Sequence, residues 1–162
     1  MKQKKVAIIM GSRSDLAEVE KTAKVLSDLG IGYEMHIISA HRTPDTASEF
    51  AQRAEVEGFD VIIAAAGKAA HLAGVMAAGT VLPVIGIPMK TGDLGGMDSL
   101  LSTVQMPKGV PVATVAIGGA ENAAILAAQI LACSDNGLRA ALKEYRKKMA
   151  EEVAEADREL NK

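Results

Sequence analysis

Val6-Ala7-Ile8-Ile9-Met10-Gly11-Ser12-Arg13-Ser14-Asp15 is the stretch on which the fold turns. Five apolar residues, three of them β-branched, run without interruption into a glycine. A half-solvated strand would alternate polar and apolar residues, so this run predicts a strand buried on both faces, as a parallel sheet requires. Asp15 then offers an N-cap. Leu16, Val19, Ala23, Leu26 and Leu29 follow at helical spacing until Gly30 stops the helix.

The same strand-then-helix phrase repeats down the chain. Tyr33–Ile38 reads as a second strand. Glu34 and His36 alternate there against Tyr33, Met35 and Ile37, which predicts an edge strand with a solvated His36. Thr43-Pro44 supplies a capping hydroxyl and a proline at the first helical position, and that helix is expected to reach about Glu57. Val61–Ala66 is a third buried strand, broken by Gly67 before a short helix over about His71–Ala78. Val84–Ile87 is a fourth, followed by a glycine-rich loop at Lys90–Gly96 and a short helix at Asp98–Gln105. Val112–Ala116, just after Pro111, reads as a fifth strand at an edge, and Ala120–Leu131 as a long helix. Strands alternating with helices predict an α/β domain with three layers and right-handed crossovers. The simplest arrangement is a flavodoxin-like, five-stranded parallel sheet of order 2-1-3-4-5.

Composition narrows the function. The chain has 162 residues, which fits a single domain spanning 1–162. Its net charge of −2, four Tyr and Phe together and no Trp argue against a nucleic-acid partner, which calls for a basic face and stacking platforms. No apolar run approaches the roughly 18 residues of a membrane span, and no signal peptide is expected. A single cysteine, Cys133, excludes an internal disulfide and suits a reducing cytoplasm; it reads as a packing residue. The 28 Ala and 15 Gly favour closely packed layers and flat surfaces suited to a second copy. From Leu138 the residues Leu142, Tyr145, Met149, Val153, Ala156 and Leu160 continue one apolar stripe. They predict a long C-terminal helix, about 136–160, used for oligomerisation.

In an open parallel sheet the ligand site lies beyond the carboxyl ends of the strands, where the strand order reverses. Here that is the crevice among Gly11-Ser12-Arg13-Ser14-Asp15, Ser39-Ala40-His41-Arg42-Thr43 and Gly67-Lys68-Ala69-Ala70-His71. The first loop opens a helix, so its N–H groups and hydroxyls suit a phosphate. It is neither a Walker A loop nor GxGxxG: Ile62 stands where the first Walker glycine belongs, and strand 2 ends without a ribose-binding acid. Aromatics to sandwich a flavin are lacking, and Ala64-Ala65-Ala66 replaces the aspartate of a phosphoacceptor. His41 beside Arg42 fits a general acid/base next to a bound anion. His71 is the second imidazole of these loops. The three histidines show no metal-ligand spacing.

These loops carry a resemblance. Gly11-Ser12-Arg13-Ser14-Asp15, Ser39-Ala40-His41-Arg42-Thr43-Pro44, Ala66-Gly67-Lys68-Ala69-Ala70-His71-Leu72 and Ser102-Thr103-Val104-Gln105-Met106-Pro107 occur in the order of the signature segments of bacterial N5-carboxyaminoimidazole ribonucleotide mutases, and the resemblance runs through Asn122-Ala123-Ala124 to the C-terminal helix. Leu16 stands where Trp is common, Lys68 where Gly or Arg is usual, and Ala73 interrupts the usual Leu-Pro-Gly. The resemblance implies an isomerase of purine (IMP) biosynthesis. It would move a carboxyl group from the exocyclic nitrogen to C4 of aminoimidazole ribonucleotide, through bound CO2. It implies His41 as general acid/base. The substrate would lie on Ser12, Ser14, Asp15, Ser39, Ala40, Arg42, Gly67, Lys68, Ala69, His71 and Leu72, with no metal or cofactor. It also implies a homo-octamer and a functional link to an ATP-dependent carboxylating enzyme upstream. The alternatives are a direct CO2-dependent carboxylase, whose third motif differs, and a non-catalytic sugar-phosphate-binding module.

Overall fold

Strand and helix alternate through the whole of the computed structural model, which describes residues 4–162. The strands are β1 (Lys5–Met10), β2 (Gly32–Ile37), β3 (Val61–Gly67), β4 (Val84–Met89) and β5 (Ala113–Thr114). The helices are α1 (Leu16–Asp28), α2 (Pro44–Arg53), α3 (Leu72–Gly79), α4 (Met97–Val104), α5 (Ala120–Ala132) and α6 (Asn136–Leu160). All strand pairs are parallel and the order is β2-β1-β3-β4-β5. The expected three-layer α/β architecture is therefore present, including the long final helix.

The continuous apolar runs occupy the centre of the sheet, with Val6–Met10 and Val61–Ala65 at most 1% exposed. One face packs Val6, Ile8, Ile63 and Ile85 against α1 and α5. The other packs Ala7, Ile9, Ile62 and Ala64 against α2 and α3. Each buried Ile or Val contributes about 1.5–3 kcal/mol through removal from water. Alanine sets the spacing of the layers: Ala120, Ala123, Ala124, Ala127 and Ala128 form the buried side of α5. A Cβ added at Gly79 would lie 2.6 Å from Ala51 Cβ, so α2 and α3 touch where both residues are small.

Four local expectations differ from the structure. The helical run of α2 ends at Arg53 rather than near Glu57. Glu57 N–H still donates to Arg53 O, but the chain loosens into turns closed by Gly58 at φ +89°. The fifth strand has two residues, since Pro111 brings no N–H to the ladder and the Gly118 turn (φ +67°) bends the chain away. On β2, His36 is half-buried rather than solvated, because α2 covers that face and Phe50 stacks 5.1 Å from its ring. The residues left open are Tyr33, Glu34 and Ile37, the last 56% exposed. Cys133 is exposed at the end of α5 rather than packed, and its thiol reaches Gln129 O alone.

The tail is anchored at its start and free beyond. Asp135 caps α6 by accepting from Leu138 N–H at 2.9 Å, while Arg139 donates to Ala132 O and so satisfies the end of α5. Leu138 and Leu142 join the core. Tyr145, Met149, Val153 and Leu160 continue the stripe uncovered by this chain. Among the described residues no helix is long and apolar enough to cross a membrane.

Candidate active site

The strand order puts the β1–α1, β2–α2 and β3–α3 loops side by side, and they enclose a cavity of about 460 Å³. That is within the range of small-ligand sites. Every residue that the sequence nominated lines it: Ser12, Ser14, Asp15, Ser39, Ala40, His41, Arg42, Gly67, Lys68, Ala69, His71 and Leu72. Gly11, Ala66 and Thr91 complete the wall. Backbone bonds fix the loops at their base, Gly11 N–H to Ala65 O and Ile38 N–H to Met10 O, both at 3.0 Å.

Asp15 stands at the N-cap position of α1, as the sequence predicts, but its side chain does not make a cap bond. Ser12 caps the short 3-10 turn Arg13–Asp15, accepting from Ser14 N–H. Its carboxylate faces the cleft, with the Ser14 hydroxyl at 3.5 Å as its side-chain donor. Partial burial pushes this carboxyl above the usual aspartate range, against the lowering effect of Ser14 and the Ser12 backbone. Such a group has unused acceptor capacity and gains by receiving hydroxyl donors.

Arg42 is held from behind. Its Nη2 donates to Gly11 O at 2.9 Å and its Nε to Ser39 Oγ at 3.3 Å, and its own N–H donates to the same hydroxyl. Two of its five guanidinium N–H groups are thereby used for aim, and the rest remain for a ligand. No carboxylate pairs with it among the described residues. Thr43 folds back as well: its hydroxyl receives Ser39 N–H and donates to Ser39 O, closing the loop before α2.

The pairing of two imidazoles lay outside the sequence reading. His41 Nε2 and His71 Nδ1 stand 2.8 Å apart, with the rings edge to face at 4.8 Å between centroids. The bond joins the β2–α2 loop to the β3–α3 loop across β1. It requires one of the two nitrogens to carry a hydrogen and the other to be bare, so the pair shares one proton at this contact. His41 Nδ1 and His71 Nε2 are left for other partners.

Beyond His71 the wall depends on residues that sequence reasoning missed. Ser102 on α4 accepts from Ala70 N–H at 2.9 Å and fixes the β3–α3 loop. Thr91 packs so closely that a Cβ on Gly67 would meet its methyl at 2.8 Å, and its hydroxyl is buried without a partner among the described residues. Lys68 Nζ binds Asp93 Oδ2 at 2.6 Å. The carboxylate beside it raises the Lys68 ammonium, and the ammonium lowers Asp93. Ser102 belongs to a segment already singled out in the sequence; nothing in the sequence tied Thr91 or Asp93 to the cleft. Among the described residues no three His, Cys, Asp or Glu side chains gather as a metal-ligand set.

Fold and cleft together define an open-sheet α/β protein whose candidate site lies beyond the carboxyl ends of its strands. A family model described as AIR carboxylase matches residues 5–152, and the chain belongs to that family. An N5-carboxyaminoimidazole ribonucleotide mutase of Pyrococcus abyssi is 57% identical over 145 residues, which span 90% of this chain and 83% of the relative. The mutase of Escherichia coli K12 is 51% identical over 153 residues, 93% of this chain and 90% of the relative. A crystal structure of Treponema denticola PurE matches with a TM-score of 0.88 at 31% identity, covering 99% of this chain and all of that one.

Proposed function

We propose that this enzyme converts N5-carboxyaminoimidazole ribonucleotide to its 4-carboxy isomer, in purine biosynthesis. The observation that carries the reading is the His41–His71 pair, set in one cleft with an Arg42 that has no carboxylate partner. Relatives at 51–57% identity that are named mutases support the isomerase class.

Arg42 and the Ser12 loop take the 5′-phosphate, a charge-assisted contact at a helix start. Asp15 accepts the ribose hydroxyls, with Ser14 and Ser39 beside it. The imidazole then lies toward the β3–α3 loop, where Gly67, Lys68, Ala69, His71 and Leu72 surround the travelling carboxyl. The exocyclic N–C bond breaks, its electron pair returns to nitrogen and His41 delivers a proton there, which leaves aminoimidazole ribonucleotide and CO2. C4 attacks the retained CO2 and forms the C–C bond. His41 removes the C4 proton and is ready for another turnover. Imidazole suits both transfers, because its acid and base forms coexist near neutrality. No step calls on a metal or cofactor.

A direct carboxylase is the second reading, favoured by the family model's own description. The two share the chemistry of the second half-reaction and differ in whether CO2 is brought by the substrate. We further propose a single cytoplasmic catalytic domain whose residues 136–160 assemble it as a homo-octamer. The uncovered Tyr145, Met149 and Val153 support this, and a monomer in light scattering contradicts it. For the activity, purified protein given the N5-carboxylated ribonucleotide should produce the absorbance of the 4-carboxy isomer. Absence of product overturns the proposal.

A further inference from the structure

Lys68 is the one non-glycine among the described residues with a positive φ, +56°. L-residues with a Cβ are disfavoured there, and such outliers persist where something holds them. The residue before it is Gly67, so the chain has a glycine beside the strained position but not at it. Whatever keeps a long side chain at 68 lies beyond the backbone.

The contact it makes is specific. Lys68 Nζ reaches Asp93 in the β4–α4 loop at 2.6 Å. That loop, residues 90–96, holds three glycines, two with positive φ (Gly95, +64°; Gly96, +95°). A segment of this kind has much conformational entropy to lose on ordering. Among the described residues the Asp93 pair is the loop's one side-chain ion pair. Below it, Gly67 and Thr91 are in close contact. The two loops therefore meet at the floor through Thr91 and at the rim through Lys68 and Asp93, on the side of the cleft away from Arg42.

We propose that the Lys68–Asp93 pair latches the β4–α4 loop to the β3–α3 loop and so closes the cleft at the end where CO2 is held during transfer. This makes Lys68 a positioning residue, and it rests on the mutase reading above. Its physical basis is simple. Free CO2 is small and uncharged, so no ion pair retains it, and the site keeps it by walls alone. His41, Arg42 and His71 are all exposed in this chain, so this chain's share of the wall on the CO2 side is what its β3–α3 and β4–α4 loops supply. Lys68 is neutralised by Asp93, and it contributes closure where Arg42 contributes charge.

Lys68→Gly and Asp93→Asn test the latch. Glycine accepts the left-handed backbone at 68, so the first variant removes the ammonium without forcing the fold. The second leaves residue 68 untouched. Hydrogen exchange at the amides of residues 92–95 should quicken by about two- to fivefold in both, as fits an exposed pair. Turnover of unlabelled N5-carboxylated ribonucleotide in 13C-bicarbonate should place about two- to fivefold more label in the product per turnover. The double charge swap, Lys68→Asp with Asp93→Lys, should restore both values towards wild type. A purely structural role would slow turnover without raising the label. Unchanged loop exchange in both single variants overturns the latch, and faster exchange with no extra label overturns its role in CO2 retention. If wild type makes no 4-carboxy product at all, the mutase reading fails instead, and loop exchange still decides whether the latch exists.

Discussion

Arg42 and Lys68 are the two cations of one cleft, and they are placed in opposite ways. Arg42 is braced by Gly11 O and Ser39 Oγ and has no carboxylate partner, whereas Lys68 is tied to Asp93 and carries a strained backbone. The β1/β2 half of the cleft thus offers a guanidinium held by hydrogen bonds and free of a carboxylate partner, with the Asp15 carboxyl elsewhere on the same wall. The β3/β4 half offers small residues, a buried Thr91 hydroxyl and a cation already neutralised. The His41–His71 bond spans the two. On the proposed reading, such a site would take the phosphate at one end and CO2 at the other, with His41 as the proton carrier between them. Counting both cations as anion ligands, as a sequence permits, misses that division.

The sharpest break of the comparison is at its centre. His41→Asn should leave the fold and ribonucleotide binding intact while turnover falls at least about a thousandfold, since a group used for two proton transfers sits at the upper end of general acid–base effects. His71→Asn should cost less, as it keeps the proton carrier and loses its hydrogen-bonded neighbour. Single-turnover assays beside a binding titration check both. A His41→Asn enzyme with a tenth of wild-type activity moves the proton transfer elsewhere.

The next effect belongs to the charged half. Arg42→Ala should weaken ribonucleotide binding by about 1.5–3 kcal/mol, the value of a charge-assisted contact. Calorimetric titration measures it, and unchanged affinity removes the phosphate from this wall. Asp15 sharpens the same half through pH. Burial raises its folded-state pKa above that of the unfolded chain, so the folded protein binds the extra proton and the charged form is the unfavourable one. The stability it adds is present in acid and lost as pH rises through the folded value. Asp15→Asn should therefore melt higher than wild type at neutral pH, with the gap closing as pH falls through the carboxylate range. It should also bind ribonucleotide more weakly. A thermal melt series across pH reads the sign directly.

How much of this was legible in the sequence follows the same line. The cleft's β1/β2 half could be read because strand order alone brings Ser12, Asp15, His41 and Arg42 together. Gly67, Lys68 and His71 came from the same rule applied to β3. The contacts among these residues could not be read. Asp15 sits at the cap position of α1 yet makes no cap bond, and alternation along β2 pointed His36 outwards although α2 lies over it. Thr91 and Asp93 escaped because a glycine-rich loop carries no periodicity, and its approach to the cleft depends on how α4 packs. Lys68 was visible as a departure from the usual Gly or Arg. Its left-handed backbone and its partner were not.

The most direct test of the central claim offers purified enzyme two ribonucleotides, the N5-carboxylated one and its decarboxylated parent, each with and without bicarbonate. The account predicts efficient conversion of the first at a rate independent of bicarbonate, and poor use of the second even when bicarbonate is abundant. Efficient, bicarbonate-dependent carboxylation of the parent, with the N5-carboxylated compound left unused, would contradict it and make the enzyme a direct carboxylase.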